Sequence, residues 1–190
     1  MPTGAPLVNS NQILVGLTGL VAVGLTTTPG PTTTSGALNG GFKELGYLSD
    51  DGFTFTESKD IADINVWHSF YSARKLITGR NVQVEFMMRE WFDDSLSFAL
   101  GGATVTSAHP NHTITPPSPA QVDYRSLVIE WQDGTRYYRL YFPKGLAVAE
   151  VSSQFTRTDA AGIPITFAGV DPGAGSNIYT LLTNDVAFSS

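Results

Sequence analysis

The sequence predicts a mostly β fold with one short flanking helix, on three observations. Apolar residues recur with period two: Val82, Val84, Phe86 and Met88 share one face of an extended run while Gln83, Glu85, Met87 and Arg89 share the other, as a half-buried strand requires. A second pair of such runs, Tyr124 to Gln132 and Thr135 to Phe142, flanks Asp133-Gly134, a dipeptide that supplies the positive φ angles of a type I′ hairpin turn. Only one stretch carries helical signals. Asp93 and Asp94 stand where an N-cap and a first-turn anion belong, Leu96 and Leu100 are four apart, and Gly101-Gly102 ends the run.

In chain order, further strands are expected at Gln12 to Gly16, Leu20 to Leu25, Phe53 to Thr56, Ile61 to Trp67, Leu146 to Thr158, Ile163 to Val170 and Ile178 to Phe188. Val148, Val151 and Phe155 break strict alternation, so the run from Leu146 should contain a bulge or bend. In the hairpin, Leu127, Ile129 and Trp131 lie on one face, opposed by Tyr138, Leu140 and Phe142 or by their neighbours according to register. Thr26 to Gly41 is Thr, Pro, Gly and Ser with little to bury, Gly102 to Ala120 carries four prolines, and Asp171 to Ser176 is glycine-rich. All three read as loops, the first two as surface loop or disorder in the first place, with contact to a partner as the alternative that their length admits. Asp50-Asp51-Gly52 reads as a tight turn ahead of the strand at Phe53.

Composition narrows the function. A chain of 190 residues suits a single domain, with residues 1–11 as an N-terminal arm and the loops at 26–41 and 102–120 as excursions. It has no cysteine, which excludes thiol nucleophiles, thiolate metal sites and disulfides. Charged residues make up 15% against about 25% in average globular usage, as expected of a surface largely covered by partner subunits. The net charge of -6 weighs against gripping nucleic acid, whose affinity comes from lysine and arginine on phosphates. MPTGAPLVNSNQ lacks the basic and apolar regions of a signal peptide, and Ile13 to Leu25 is broken by Gly16, Gly19 and Gly24, so a soluble chain made in a cytoplasm, with no membrane partner, is expected.

Sites of chemistry are weakly indicated. His109 and His112 are three apart in a loop and could begin a metal site, but the nearest carboxylate in sequence is Asp123. His68-Ser69 is adjacent, and neighbours on a strand point to opposite faces, so no nucleophile and base pair forms. No Gly-x-Ser-x-Gly elbow, P-loop or dinucleotide-binding pattern is present. Trp67, Trp91 and Trp131 fall in or beside expected strands, where packing accounts for them better than sugar stacking does. No cofactor, metal or catalytic residue is expected.

Read in order, the residues resemble a known family. GFKELGYLSDDG at Gly41 to Gly52, the strand FTFTES, then Asp60-Ile-Ala-Asp-Ile-Asn-Val-Trp67, Arg74 with Leu76, a strand ending Glu90-Trp91, and a helix ending ALGG at Gly102 are similar to the major tail tube proteins of long, non-contractile phage tails. The likeness covers roughly residues 12 to 102. It implies a β-sandwich or split barrel of two sheets with a flanking helix, assembled as six-fold rings stacked into a tube. In that family an inner sheet from each subunit closes a barrel around the DNA channel, and an arm or loop reaches the next ring.

The resemblance implies a virion protein of the phage tail whose partners are its own copies, the tape-measure, terminator and baseplate or tip proteins, and double-stranded DNA that passes without specific binding. Glu85, Glu130, Asp133 and Asp185 become candidate lumen acids, and a six-fold ring would carry about -36. Trp67, at the end of one expected strand, and Arg74, Lys75 and Arg80, within a link from His68 to Asn81 between two strands, become candidate inter-subunit contacts. The alternatives are a tail terminator or distal tail component, or a carbohydrate-binding β-sandwich with Trp, Tyr and the Asp50-Asp51 turn as its site. No extra immunoglobulin-like domain is expected at the C-terminal end.

Overall fold

In the computed structural model, residues 13–16, 18–119, 121–148, 150–173 and 175–188 are described; the expected N-terminal arm lies outside them. Along these residues run β1 (Thr18–Leu25), β2 (Lys43–Glu44), β3 (Leu48–Ile64), β4 (Arg74–Met88), α1 (Asp93–Ala99), β5 (Thr104–Ala108), β6 (Asn111–Thr115), β7 (Arg125–Asp133), β8 (Arg136–Ala147), β9 (Ile163–Gly169), β10 (Thr180–Thr183) and a 3₁₀ turn at Val186–Phe188. The expected mostly β fold with two sheets and one helix is therefore observed. The larger sheet has the order β2-β1-β7-β8-β9-β4-β3 with β10 also on β8, and β5-β6 forms a separate ribbon.

The β7–β8 hairpin holds the expected faces in register: Leu127 opposes Phe142, Ile129 opposes Leu140 and Trp131 opposes Tyr138. Its turn is one residue later than expected. Asp133 pairs with Arg136, leaving Gly134-Thr135 as the loop, with Gly134 at φ 62° where a side chain would cost most.

β8 turns the corner of the sheet. It pairs with β7 in regular register up to Phe142 and, past an irregularity, once more at Gly145 opposite Arg125, while from Gly145 to Ala147 it also pairs with β9. Gly145 lies at the junction, and a Cβ there would run into the Phe167 ring and the Ala168 carbonyl, so glycine lets the two strands approach. The layer β9-β4-β3 thereby folds over β1-β7-β8: the Phe53 and Trp131 rings meet at 5.1 Å, and those of Phe142 and Phe167 at 5.7 Å. Val21, Leu127, Ile129 and Phe142 from one layer face Val84, Met88, Ile163 and Phe167 from the other, all fully buried. Each such side chain contributes roughly 1.5–3 kcal/mol. Phe98 of α1 packs 6.1 Å from Phe167 at the edge of this core.

α1 starts from Phe92, whose backbone N–H donates to Ser95 Oγ at 3.0 Å; Asp93 and Asp94 occupy the first turn rather than the cap. Gly102 N–H donates to the Ser97 carbonyl at 2.7 Å where the helix ends, as expected. The Thr-rich stretch at 26–41 is a loop that covers the second face of β1-β7-β8. Buried Arg139 donates to the carbonyls of Thr33 at 2.7 Å and Gly36 at 2.8 Å, and its Nε sits 2.7 Å from Glu130 Oε1 in an ion pair poorly aligned for a hydrogen bond.

Several expectations are corrected. Ile13 to Gly16 is not a strand. The Asp50-Asp51-Gly52 turn is an irregularity inside one continuous strand, since β3 loses register between Leu48 and Phe53 and then continues to Ile64. The Pro-rich loop contains the ribbon β5–β6, because its prolines fall in the turn, at His109-Pro110, and beyond Thr115. Among the described residues no strand follows Ala147 up to Thr158: Arg89 Nη1 and Trp91 Nε1 take the carbonyls of Ala160 and Ala161 at 2.6 and 3.1 Å, which fixes the neighbouring chain by side chains instead of a ladder. Past Thr183 the last expected strand becomes a 3₁₀ turn.

Candidate assembly surface

The strand expected to end at Trp67 and the link expected from His68 to Asn81 are the two legs of one hairpin. β3 and β4 stay paired from Phe53–Phe86 out to Ile64–Arg74, with one bulge between Asp60 and Ile61. Near the body, one face of this ladder joins the core through Phe53, Val84 and Phe86. The outermost tie to the body is at Glu57, whose carboxylate accepts from Tyr179 OH at 2.9 Å and stands 3.9 Å from Arg80. From Ser58 outward almost every side chain is exposed. At about 3.3 Å per residue, the Trp67 end stands roughly 30 Å beyond Glu57.

This arm is apolar where nothing covers it. Ile61 and Ile77 are a cross-strand pair, Leu76 and Ile64 lie on the opposite face, and all four are exposed. At the tip Trp67, Phe70 and Tyr71 are 98%, 108% and 84% exposed. Ala73 N–H donates to the Ile64 carbonyl at 2.8 Å and Tyr71 N–H to Ser69 Oγ at 3.1 Å, so the tip is a formed turn holding its rings outward. A contiguous apolar surface of this kind marks an interaction site.

All four expected contact residues lie on this arm. Trp67 is at the tip and Arg74 opposes Ile64 at the tip end of β4; Lys75 pairs with Asp63 at 2.7 Å, and Arg80 lies closer to the body. Arg74 makes no ion pair among the described residues. Phe70, Tyr71, Ile61 and Ile77 were missed. For Phe70, Tyr71 and Ile77 the sequence holds a signal, two aromatics and an isoleucine in the link from His68 to Asn81, where a turn between strands should be polar.

The four expected acids do not converge. Glu85 is exposed on the outward face of β4 and accepts from Gln83 Nε2 at 3.4 Å. Glu130 is held against Arg139, and burial raises its carboxyl above the usual range despite that cation. Asp133 pairs with Arg136 across the hairpin turn. Asp185 accepts from Tyr138 OH at 2.5 Å and lies 3.5 Å from Arg136; the tyrosine bond first, and the Ala187 N–H next, hold its carboxyl below the usual range. Burial, with Asp185 second, pushes the Tyr138 phenol up.

A cleft of about 950 Å³ opens at the other end of β3. Leu48, Phe53 and Trp131 line it with apolar surface, and Glu44, Asp50, Asp51 and Glu90 with carboxylates. The remaining candidates stay separate: His112 Nδ1 is 3.0 Å from Ser107 Oγ, Asp123 is bound by Arg125 at 2.8 Å, and Trp91 packs on Phe155 at 5.1 Å. Among the described residues no three His, Cys, Asp or Glu side chains gather as metal ligands, and no helix is long and apolar enough to cross a membrane.

Set against known proteins, the sequence matches the family model described as phage tail tube protein over residues 6–190. No curated protein matches it.

Proposed function

The chain belongs to the phage tail tube proteins, and from that membership we propose that its 190 residues form one domain that builds six-fold rings, stacked into the tube through which DNA leaves the virion. It is a structural protein of the virion tail. The observation that carries the finer reading is the arm, which holds Trp67, Phe70 and Tyr71 in water about 30 Å from its own core and can cover them only on another molecule.

Two further features support it. β3 is the terminal strand of the large sheet, and β2 at the opposite end is only two residues long, so ring closure would cover edges that otherwise invite uncontrolled pairing. Six of the eleven lysines and arginines, Lys43, Lys75, Arg80, Arg125, Arg136 and Arg139, are each matched to a carboxylate of the same chain, which lowers the number of cations open to phosphates. Of the four acids, Glu85 is the one turned to solvent without an arginine beside it and is the first assigned to the lumen. Trp67, Arg74, Lys75 and Arg80 are assigned to contacts between subunits, the tape-measure, terminator and tip proteins to the ends of the tube, and DNA to passage without binding.

Negative-stain microscopy and size-exclusion chromatography of the purified chain test this. Tubes with a central hole are expected. Closed single rings would point to a terminator instead, a monomer at high concentration would overturn the reading, and a map with a lysine- and arginine-lined lumen would overturn the passage of DNA by repulsion.

A further inference from the structure

We infer that the tip of the arm docks in the cleft at the opposite end of β3 on a second copy of the chain, Trp67, Phe70 and Tyr71 entering over Leu48, Phe53 and Trp131 while Arg74 meets the carboxylates of Asp50, Asp51 and Glu90. This rests on the tube reading and names the surface that receives the arm.

Charge selects the partner. The arm from Ser58 to Asn81 carries Lys59, Arg74, Lys75 and Arg80 against Asp60 and Asp63, an excess of two cations, whereas residues 44–51 carry Glu44, Asp50 and Asp51 with no cation. Arg74 has no intramolecular ion pair among the described residues. Four carboxylates line the cleft and no lysine or arginine does; Arg89 reaches only its rim, 3.5 Å from Ser49 Oγ. A cation arriving with an apolar tip therefore finds both halves of its complement in one place. The volume, about 950 Å³, falls within the roughly 300–1,000 Å³ of clefts that enclose large apolar groups.

Geometry also matches. Donor and acceptor sit at opposite ends of one 17-residue strand, about 55 Å apart along it. An arm of this stiffness, laddered to β4 as far as Ile64, is held away from its own cleft. The contact is head-to-tail, so a copy whose arm is docked still offers its own cleft to another, and the contact can run on through a ring or a stack.

The absence of native cysteine permits a direct test. Phe70→Cys and Asp51→Cys, both at described positions with Asp51 exposed, are prepared singly and together, with Phe70→Cys plus Asp171→Cys as a control pair. Under mild oxidation the first double variant is expected to give a ladder of covalent oligomers on a non-reducing gel, at least tenfold above the control, and the mixed single variants a covalent dimer. A ladder no stronger than the control, in samples where micrographs show tubes, overturns the docking and leaves the tube intact; an internally linked monomer overturns it as well. Failure of the wild-type chain to form tubes counts against the tube reading instead. As a second measure, Arg74→Glu should slow assembly at least tenfold and Asp50→Lys with Asp51→Lys should restore it; no rescue with undiminished wild-type assembly overturns the charge pairing.

Discussion

The body and the arm of this protein use the same strand grammar to opposite ends. Val84, Phe86 and Met88 share one face along the inner part of β4, while along the outer part of the hairpin Ile61 and Ile77 share one face and Leu76 and Ile64 the other. The inner set is buried against β9 and β7, and the outer set lies in water. Apolar residues in a strand therefore tell that a face is to be covered, and not whether the cover belongs to the same molecule.

Substitutions that break this contrast should sort by region. The largest loss of stability is expected in the body, where Phe167→Ala removes a ring packed between Phe142 and Phe98 and should cost about 4 kcal/mol in urea unfolding. Arg139→Ala should follow at about 3 kcal/mol, because it leaves Glu130 buried without its cation and frees the carbonyls of Thr33 and Gly36. Limited proteolysis should then cut first within residues 26–41, and unchanged protection there would refute the role given to Arg139.

A smaller effect depends on pH. Asp185 is held below its ordinary 3.8 by Tyr138, so the folded state keeps it ionised where the unfolded chain takes up a proton. Its contribution is complete above about pH 3.8 and is lost as pH falls further. Urea unfolding in wild type and Asp185→Asn, compared from about pH 5 to about pH 3, should show a shallower decline in the variant. Glu130, raised by burial above 4.5, has the opposite sign: taking up a proton as pH falls through its raised value favours the folded state. The smallest effect is expected at the arm. Replacing Trp67, Phe70 and Tyr71 together by serine should change unfolding free energy by less than about 0.5 kcal/mol while abolishing tubes in negative stain. A destabilised monomer would mean that the tip packs on its own chain after all.

How much was legible follows the same division. The hairpin around Gly134, the strands at Val82 and Ile163 and the helix at Asp93 were readable, because each buries its apolar period inside the chain and is bounded by glycine or a turn residue. The region from Leu146 to Thr158 misled, since Val148, Val151 and Phe155 are apolar at strand-like spacing, yet the anchoring comes from Arg89 and Trp91, distant in sequence. Of the expected contact residues, the four named all fell on the arm, but the arm itself was not foreseen: Asp60, Gly79 and Arg80 resemble turn chemistry while in fact continuing a ladder through a bulge. The acids were the least readable. Glu130, Asp133 and Asp185 look alike in sequence, and only folding brings Arg136 and Arg139 to them.

The length of β3 also has a mechanical side. Both legs of the hairpin meet at the tip, so a pull on the tip along the strand direction runs down two backbones into the body, where the rungs between β4 and β9 from Gln83 to Met88 lie across the pull and share it instead of opening one at a time. The arm is thus strong in tension and weak to peeling from the side. A column whose joints are loaded through such arms can bend while resisting extension.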